Sequence, residues 1–162
     1  MKTCVFAGTF DPPTTGHKDV IEKALKIFDG VTVAVMINPE KRCLFTEDER
    51  LELLKDMFSG EPRVKVRSFS GAAVDLLKEE NTPFYVRGVR DIIDFEYENR
   101  NRFASEKLMP EMITVYIPAE QDELHVSSSL VRNSVKFNKE YLSYIPEEIR
   151  EKVIKLSEAK NV

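Results

Sequence analysis

The sequence lacks the residues that mark several classes of protein. It contains no tryptophan, two histidines, six glycines and two cysteines among its 162 residues. The two cysteines, Cys4 and Cys43, do not have the spacing of metal ligands. Because no secretory signal pattern is present either, we expect reduced thiols and a cytoplasmic location.

Long apolar runs and an excess of basic charge are missing as well. No run approaches the roughly 20 apolar residues that a membrane-spanning helix needs. The formal net charge is −4 and the sequence pI is about 5.4, whereas general binders of nucleic acid or of anionic membranes are usually basic. We therefore expect neither nucleic acid nor a membrane as a partner, although a local basic pocket is compatible with this charge balance.

The residues that are present predict one globular domain over residues 1–162. Hydrophobic residues make up 42% of the chain and charged residues 32%, and this length is enough for one sizeable core. Five mostly apolar runs are predicted strands, at residues 3–7, 31–37, 64–66, 84–86 and 113–117. Helices are predicted at residues 18–28, 46–57, 70–81, 94–107, 127–135 and 146–156. This alternation predicts an α/β fold, a Rossmann-like doubly wound parallel five-stranded sheet with C-terminal helices.

The stretch on which the functional prediction depends is residues 8–17. It joins the first predicted strand to the first predicted helix, and its two glycines and two prolines favour a rigid loop whose backbone can approach a ligand. Free N–H groups and the dipole at the following helix start favour an anion such as phosphate. For this loop alone, an ordinary turn between strand and helix is the commoner explanation.

The predicted strand ends bring further polar and basic residues together. Ligands of parallel α/β sheets lie beyond the carboxyl ends of the strands. The residues expected to meet in such a crevice are Thr9, His17, Lys41, Arg87, Arg90 and the helix start at residues 127–129. Positive groups and helix N-termini together suit a polyphosphate. The patterns GxxxxGK[ST] and GxGxxG are absent, which excludes a P-loop enzyme and a Rossmann dehydrogenase of the usual fingerprint.

Two motifs in these segments resemble the signatures of the nucleotidylyltransferase superfamily. Residues 14–17, TTGH, resemble the T/HxGH signature, and residues 126–132, VSSSLVR, resemble ISSTxxR with Ser129 in place of threonine. Further stretches narrow the resemblance to bacterial phosphopantetheine adenylyltransferases, over nearly the whole chain: GTFDP at 8–12, NPEK at 38–41, LFT at 44–46, VRGVRD at 86–91, DFEYE at 94–98 and LMPE at 108–111. Ala7 and Pro13 differ from the residues common in that family.

The resemblance implies a reaction and its partners. The family transfers the adenylyl group of ATP to 4′-phosphopantetheine by direct in-line attack, without a covalent enzyme intermediate, and so gives dephospho-CoA and pyrophosphate. It further implies Mg²⁺ held mostly by phosphates and water, with no metal site built from protein ligands, and a homohexamer. The exposed apolar surface expected around Phe95, Tyr97 and Phe103 agrees with such an assembly.

The resemblance also assigns roles to individual residues. The implied catalytic residues are His17, Lys41 and Arg90. The implied ATP-binding residues are Thr9, Phe10, His17, Gly88, Val89, Arg90, Glu98, Glu123, Leu124, His125, Val126, Ser127, Ser128 and Ser129. The implied phosphopantetheine-binding residues are Thr9, Lys41, Ala73 and Arg87.

Each of these roles has a simpler structural alternative. His17 would donate to an α-phosphate oxygen as a neutral imidazole, whose pKa a helix N-terminus lowers; alternatively it caps a helix or packs in the core. Lys41 would neutralise charge between the two substrates' phosphates, yet a single lysine is ordinarily a solvated surface residue. The alternative explanation of Arg87 and Arg90 is a pair of surface ion pairs.

The remaining alternatives concern helices. Ala73 is almost as well explained by helix packing, Glu98 by a solvated helix face, and residues 127–129 by helix capping. His125 is interpreted as structural rather than catalytic.

Two other functions stay open at this point. One is adenylyl transfer to another phosphate, such as nicotinate mononucleotide or glycerol phosphate, which the stretches at 87–91 and 94–98 disfavour. The other is a non-catalytic nucleotide sensor on the same fold, which the intact His17, Lys41 and Arg90 disfavour.

Overall fold

A parallel sheet of five strands forms the centre of the protein. The structure, a computed structural model, describes residues 1–160; residues 161 and 162, the end of the predicted domain, lie outside the described part. The strands are β1 (Thr3–Gly8), β2 (Gly30–Met36), β3 (Val64–Phe69), β4 (Phe84–Val89) and β5 (Ile113–Pro118). All neighbours pair in parallel in the order β3-β2-β1-β4-β5. The predicted sheet is confirmed, and its strand order reverses between β1 and β4, where ligands of such sheets bind.

Helices cover both faces of this sheet. Within residues 1–160 they are α1 (Thr15–Ala24), α2 (Glu47–Met57), α3 (Ala73–Glu79), α4 (Ile92–Leu108), α5 (Ser128–Lys136) and α6 (Arg150–Ala159). Side chains of a strand alternate between faces. Phe6 packs in the larger core with α1, α2, α5 and α6, whereas Val5 packs in a smaller core with α3 and Met109. The predicted doubly wound arrangement is therefore confirmed.

Several element boundaries differ from the sequence-based prediction. α1 begins at Thr15, three residues before the predicted start, because the hydroxyl of Thr14 caps it there. It ends at Ala24, four residues before the predicted end. β4 continues through Val89, so Arg87 belongs to a strand and not to the loop after it. Pro146 precedes a 3₁₀ turn at Glu147–Ile149, and the last α-helix starts only at Arg150.

The helix α4 is unlike the others because none of its residues is buried. Its exposed apolar side chains include Ile93, Tyr97 and Phe103, with 75%, 64% and 54% of their surface accessible. These side chains fit the expectation of apolar surface in this region. Among residues 1–160, no helix combines the length and the apolar character needed to cross a membrane.

Candidate active site

A cavity of about 540 Å³ lies at the carboxyl ends of β1 and β4, at the reversal of the strand order. Most of the sequence-predicted site residues line it: Thr9, Phe10, His17, Lys41, Arg87, Gly88, Val89, Arg90, Glu98, Glu123, Val126, Ser127, Ser128 and Ser129. The structure therefore brings together segments that are up to about 120 residues apart along the chain, such as Thr9 and Ser129. Ala73, Leu124 and His125 are not among the residues that line this cavity.

The loop after β1 is fixed by one residue in a strained conformation. Phe10 has a φ of 52°, in the left-handed region that favours glycine. Its buried ring packs edge-on against Phe6 at 5.6 Å and against His17 at 4.9 Å, measured between ring centroids. Such backbone strain costs on the order of 1–3 kcal/mol and persists only where the surroundings hold it. The buried guanidinium of Arg50 adds a further restraint, because it donates to the Thr9 carbonyl at 2.8 Å.

His17 closes a capping box at the start of α1. The hydroxyl of Thr14 accepts a hydrogen bond from the His17 backbone N–H at 3.4 Å, and the Thr14 backbone N–H donates to Nδ1 of His17 at 3.0 Å. A ring nitrogen that accepts from an N–H carries no proton itself, so the proton of the neutral imidazole lies on Nε2. His17 is thus a capping residue, and its Nε2–H has no hydrogen-bond partner within residues 1–160.

The environment of His17 keeps its imidazole neutral. Burial, and after it the positive charges of Arg90 and Arg87, lower the pKa of His17 from 6.5 to about 4. The direction agrees with the sequence-based expectation, but the main cause is burial, whereas the sequence argument invoked the helix end. At pH 7 the ring is therefore a neutral donor near the positive charges of Arg87 and Arg90.

Arg87 is engaged on all sides by groups of this chain. Its Nε donates to Glu98 at 2.7 Å, and its Nη2 donates to the other oxygen of the same carboxylate. Its Nη1 donates to the Ala7 carbonyl at 2.9 Å and to the Tyr85 hydroxyl at 3.1 Å. Both the arginine and the carboxylate are largely withdrawn from solvent. The ion-pair alternative thus describes the contacts of Arg87, although the pair lines the cavity and is not on the open surface.

Arg90 and Lys41 are held more loosely than Arg87. Arg90 is exposed, and its Nε lies 3.4 Å from Oδ2 of Asp94 in the first turn of α4. Lys41 is exposed on the loop after β2, and its ammonium group forms neither a hydrogen bond nor an ion pair within residues 1–160. These two side chains can move toward an anion in the cavity without breaking a strong contact.

Two helix N-termini point their first turns at the cavity. Gly16 and His17 of α1, and Ser127–Ser129 at the start of α5, all line it. The Ser127 hydroxyl caps α5 by accepting from the Leu130 N–H at 3.1 Å, so the predicted capping role is present. The first N–H groups of each helix have no partner within their own helix, and together with the dipole they favour a bound anion.

Close packing of α1 on β4 sets the distance between these groups. A Cβ atom added at Gly88 would lie 2.8 Å from Cγ2 of Val20, a distance that only glycine avoids. Gly88 therefore lets α1, which carries His17, lie directly against the strand that carries Arg87. The resemblance assigns Gly88 to ATP binding, and the structure adds this packing role.

The segment before α5 contributes unevenly to the cavity. Glu123 lines it and accepts a hydrogen bond from the Thr15 hydroxyl at 2.5 Å, which ties this segment to the start of α1. Leu124 is 44% exposed. His125 packs edge-on against Tyr144, with 5.3 Å between ring centroids, and its interpretation as a structural residue stays a prediction.

Ala73 lies at a second and smaller cavity of about 150 Å³. Arg87 and Glu98 line both cavities, so the two spaces meet at this ion pair. The other lining residues of the smaller cavity are Tyr85, Asn101, Arg102, Ser105, Met112 and Thr114. The Thr114 hydroxyl is buried there without a hydrogen-bond partner among residues 1–160. A ligand with a phosphate in the first cavity and an arm in the second would pass Arg87.

Sequence reasoning missed several residues that line the main cavity. They are Asp11, Arg42, Cys43, Asp94 and Arg132. Arg132 lies inside the motif at residues 126–132 and Asp11 lies in the stretch GTFDP at residues 8–12, and these positions are the signal that could have pointed to them. Asp94 lies in the first turn of α4, four residues after Arg90, and four residues is the spacing at which opposite charges meet on a helix.

Similar proteins are found by sequence and by structure. The cytidylyltransferase-like family model matches residues 5–134. A protein of Clostridium kluyveri named phosphopantetheine adenylyltransferase is 39% identical over 96% of this chain and 94% of its own length. A protein of the same name from Clostridium tetani is 38% identical over 99% of this chain and 100% of its own. A crystal structure from Vibrio parahaemolyticus, described as a candidate nicotinate-nucleotide adenylyltransferase, covers 100% of both chains with a TM-score of 0.69 and 22% identity. That last likeness shows the fold alone.

Proposed function

The chain belongs to the cytidylyltransferase-like family and is 39% identical to a relative named phosphopantetheine adenylyltransferase, and from this we infer a nucleotidyltransferase of coenzyme A biosynthesis. It transfers the adenylyl group of ATP to 4′-phosphopantetheine. The products are dephospho-CoA and pyrophosphate. The observation that carries the proposal is the cavity at the strand-order reversal, where His17, Lys41, Arg90 and two helix N-termini surround one space.

The reaction needs positioning and charge stabilisation more than it needs a protein nucleophile. An oxygen of the acceptor phosphate attacks the α-phosphorus of ATP, a new P–O bond forms, and the bond to the β-phosphate oxygen breaks to release pyrophosphate. Attacking and leaving oxygens must lie in line, and the negative charge that spreads over the phosphoryl oxygens must be balanced. Both requirements favour fixed N–H donors and cations in a confined space.

His17 is proposed to bind an α-phosphate oxygen through Nε2–H. The capping hydrogen bond from Thr14 fixes the ring, and the low pKa keeps a single proton on it at neutral pH. A donor that is already oriented needs no rearrangement when charge appears in the transition state. His17 therefore acts as a stabilising donor and not as a general base.

Lys41, Arg90 and Arg87 are proposed to divide the phosphates between them. The ammonium group of Lys41, which has no polar partner within residues 1–160, would lie between the acceptor phosphate and the α-phosphate. Arg90 would bind the phosphates of ATP after it leaves Asp94. Arg87, at the junction of the two cavities, would bind the acceptor phosphate, while the pantetheine arm extends toward Ala73.

Mg²⁺ is proposed to accompany ATP. No three His, Cys, Asp or Glu side chains within residues 1–160 come together as a metal site. The four carboxylates that line the cavity are already engaged: Asp11 with the Leu44 and Phe45 N–H groups, Asp94 with Arg90, Glu98 with Arg87, and Glu123 with Thr15. The donor set therefore fits an ion that phosphates and water coordinate, which would lower the negative charge of the polyphosphate.

A homohexamer is proposed on the basis of the resemblance and of α4. The apolar side chains of this helix are exposed and none of its residues is buried. Apolar patches of this kind commonly mark interaction surfaces. Magnesium, the cytoplasmic location and the number of subunits all remain predictions.

The reaction can be tested with a panel of acceptors. Purified protein is incubated with ATP, Mg²⁺ and either 4′-phosphopantetheine, nicotinate mononucleotide or glycerol phosphate, and pyrophosphate release and adenylylated product are followed. We expect product with 4′-phosphopantetheine, and a loss of nearly all turnover in His17→Asn, which serves as the background control. Turnover with nicotinate mononucleotide and none with 4′-phosphopantetheine would overturn the assignment.

A further inference from the structure

Asp11 is a buried carboxylate that joins two loops of the main cavity. Its surface is only 2% exposed. Oδ2 accepts a hydrogen bond from the Leu44 backbone N–H at 2.8 Å, and Oδ1 accepts one from the Phe45 backbone N–H at 2.8 Å. These donors lie more than 30 residues away in the sequence. The carboxylate therefore ties the loop after β2 to the loop after β1.

Arg132 of α5 holds Asp11 from the other side. Its Nη1 donates to the Asp11 carbonyl at 2.7 Å and lies 3.6 Å from Oδ2 of the same residue. Its Nη2 donates to the Ser129 hydroxyl at 3.0 Å. Three segments that surround the cavity thus meet at one ion pair.

The loop that these contacts anchor carries Lys41. The polar contacts of residues 38–41 are otherwise local: the Lys41 N–H donates to the Asn38 carbonyl at 3.0 Å, and the Glu40 N–H donates to the Asn38 side chain at 2.9 Å. Phe45 is buried, so the two hydrogen bonds to Asp11 lie at the boundary between the free loop and the fixed chain. Where Lys41 can reach depends on this boundary.

We propose that Asp11, held by Arg132, is a positioning residue that fixes the Lys41 loop over the cavity. The effect on turnover rests on the proposed function, because Lys41 serves that reaction, whereas the positioning of the loop does not. Asp11 itself does not touch the reacting atoms in this scheme. It acts through Lys41.

The chemistry of the contact requires a carboxylate. Two backbone N–H groups need two acceptor oxygens, and an asparagine offers one oxygen and one NH₂ group. The NH₂ group of Asp11→Asn would face a backbone N–H, and Arg132 would lose its charged partner. A buried donor left without an acceptor is costly, so the loop boundary should open.

The first experiment measures that boundary directly, without substrate. Hydrogen exchange of the Leu44 and Phe45 amides is followed by NMR in the wild type and in Asp11→Asn. We expect exchange at these two amides to accelerate tenfold or more, while amides of the central strands, such as those of Val5 and Val33, keep their rates. Unchanged rates at Leu44 and Phe45 overturn the proposal.

The matched control is Glu80→Gln. Glu80 is also a well-bonded carboxylate, with only 9% of its side chain exposed, and it accepts from Thr32, Lys65 and Arg67 at the opposite end of the sheet from the cavity. This change should lower the melting temperature without altering exchange at Leu44 and Phe45 or the kinetic constants. An equal acceleration in Glu80→Gln would show that Asp11 is only a stability residue.

The second experiment links the loop to turnover through a double-mutant cycle. Alone, Asp11→Asn should raise the acceptor's KM and lower kcat, the same split that Lys41→Ala gives. Added to Lys41→Ala, Asp11→Asn should lower kcat/KM by less than about a further threefold, because the side chain that Asp11 positions is then absent. If the losses in kcat/KM of the two single variants multiply in the double variant, Asp11 does not act through Lys41 and the proposal is overturned.

A third variant keeps the test open if Asp11→Asn does not fold. Arg132→Gln leaves both oxygens of Asp11 in place but removes the cation that holds them. It should accelerate exchange at Leu44 and Phe45, and no acceleration would overturn the proposal. Because exchange is measured on the free protein, it supports or removes the positioning role even if the acceptor panel rejects the proposed reaction.

Discussion

The two walls of the main cavity are built in opposite ways. On one side, the loop after β1 and the N-termini of α1 and α5 are bound by contacts within the chain, including the capping box at His17 and the buried carboxylate of Asp11. On the other side, β4 leads into α4, a 17-residue helix without one buried residue. The first wall is complete in a single chain. The second leaves apolar side chains exposed, which the proposed hexamer would cover.

The largest expected effect tests the completed wall at His17. His17→Asn places an acceptor oxygen where Nδ1 receives the Thr14 N–H, so the cap persists, but it removes the Nε2–H donor. Loss of one donor to transition-state charge is worth about 3 to 4 kcal/mol, or roughly a hundred- to thousand-fold in kcat. Single-turnover rates, ATP affinity and melting temperature are measured on one sample.

His17→Ala provides the comparison, because it removes the cap as well as the donor. The single-turnover rate of His17→Ala should fall as far as that of His17→Asn, and the melting temperature of His17→Ala should fall further. If His17→Asn keeps the wild-type rate constant for the chemical step, His17 is a helix cap and has no part in catalysis.

The next largest effect concerns Lys41, which is anchored by the completed wall but is itself free. Lys41→Ala should lower kcat and raise the acceptor's KM, since the ammonium meets phosphates in both the ground and transition states. Charge-assisted hydrogen bonds contribute about 1.5–3 kcal/mol, so kcat/KM should drop about ten- to a hundredfold. Lys55→Ala, at an exposed lysine of α2, is the control and should leave both constants unchanged. A pure kcat effect would contradict the ground-state contact.

A smaller effect on activity is expected from a substitution in α4, the helix of the second wall. Phe103→Glu puts a charge among the exposed apolar side chains of α4, where Phe103 is 54% exposed, and should split the proposed hexamer into smaller species in light scattering. Phe137→Glu is the matched control, because Phe137 is 63% exposed but lies at the end of α5. A monomeric wild type, or equal dissociation in both variants, would remove α4 as the assembly surface.

The smallest expected effect is a pH dependence of stability. Burial lowers the pKa of His17 from 6.5 to about 4, so between these values the unfolded chain takes up a proton that the folded chain does not. The stability that neutral His17 contributes is therefore fully present above pH 6.5 and is lost as the pH falls toward 4. Compared with His17→Asn, the wild type should lose on the order of a few degrees more in melting temperature over this range. Parallel melting curves would contradict the lowered pKa.

Much of the completed wall could be predicted from the sequence because its signals are local. Thr14 and Ser127 stand where helix caps are expected, and both cap helices. The strand ends converge as the rule for parallel sheets requires. The roles of the individual residues in catalysis still await the experiments above.

Contacts between distant segments could not be predicted from the sequence, because no local pattern encodes them. The bonds from Leu44 and Phe45 to Asp11, and the pairing of Arg87 with Glu98 across 11 residues, depend on how strands and helices pack. The end of β4 was misplaced for a related reason. A glycine usually weakens a strand, yet Gly88 stays in β4, paired in register with Ile117, because α1 needs the space above it.

The different burial of the two cysteines allows a spectroscopic probe to be attached at one of them. Cys4 is fully buried in the core, and burial raises the pKa of its thiol to about 12, so alkylating reagents should not reach it in the folded state. Cys43 is partly exposed and lines the main cavity between Lys41 and the Asp11 anchor. A fluorophore attached to the unaltered chain should therefore label one position, and its emission would report when the loop above the cavity meets a ligand.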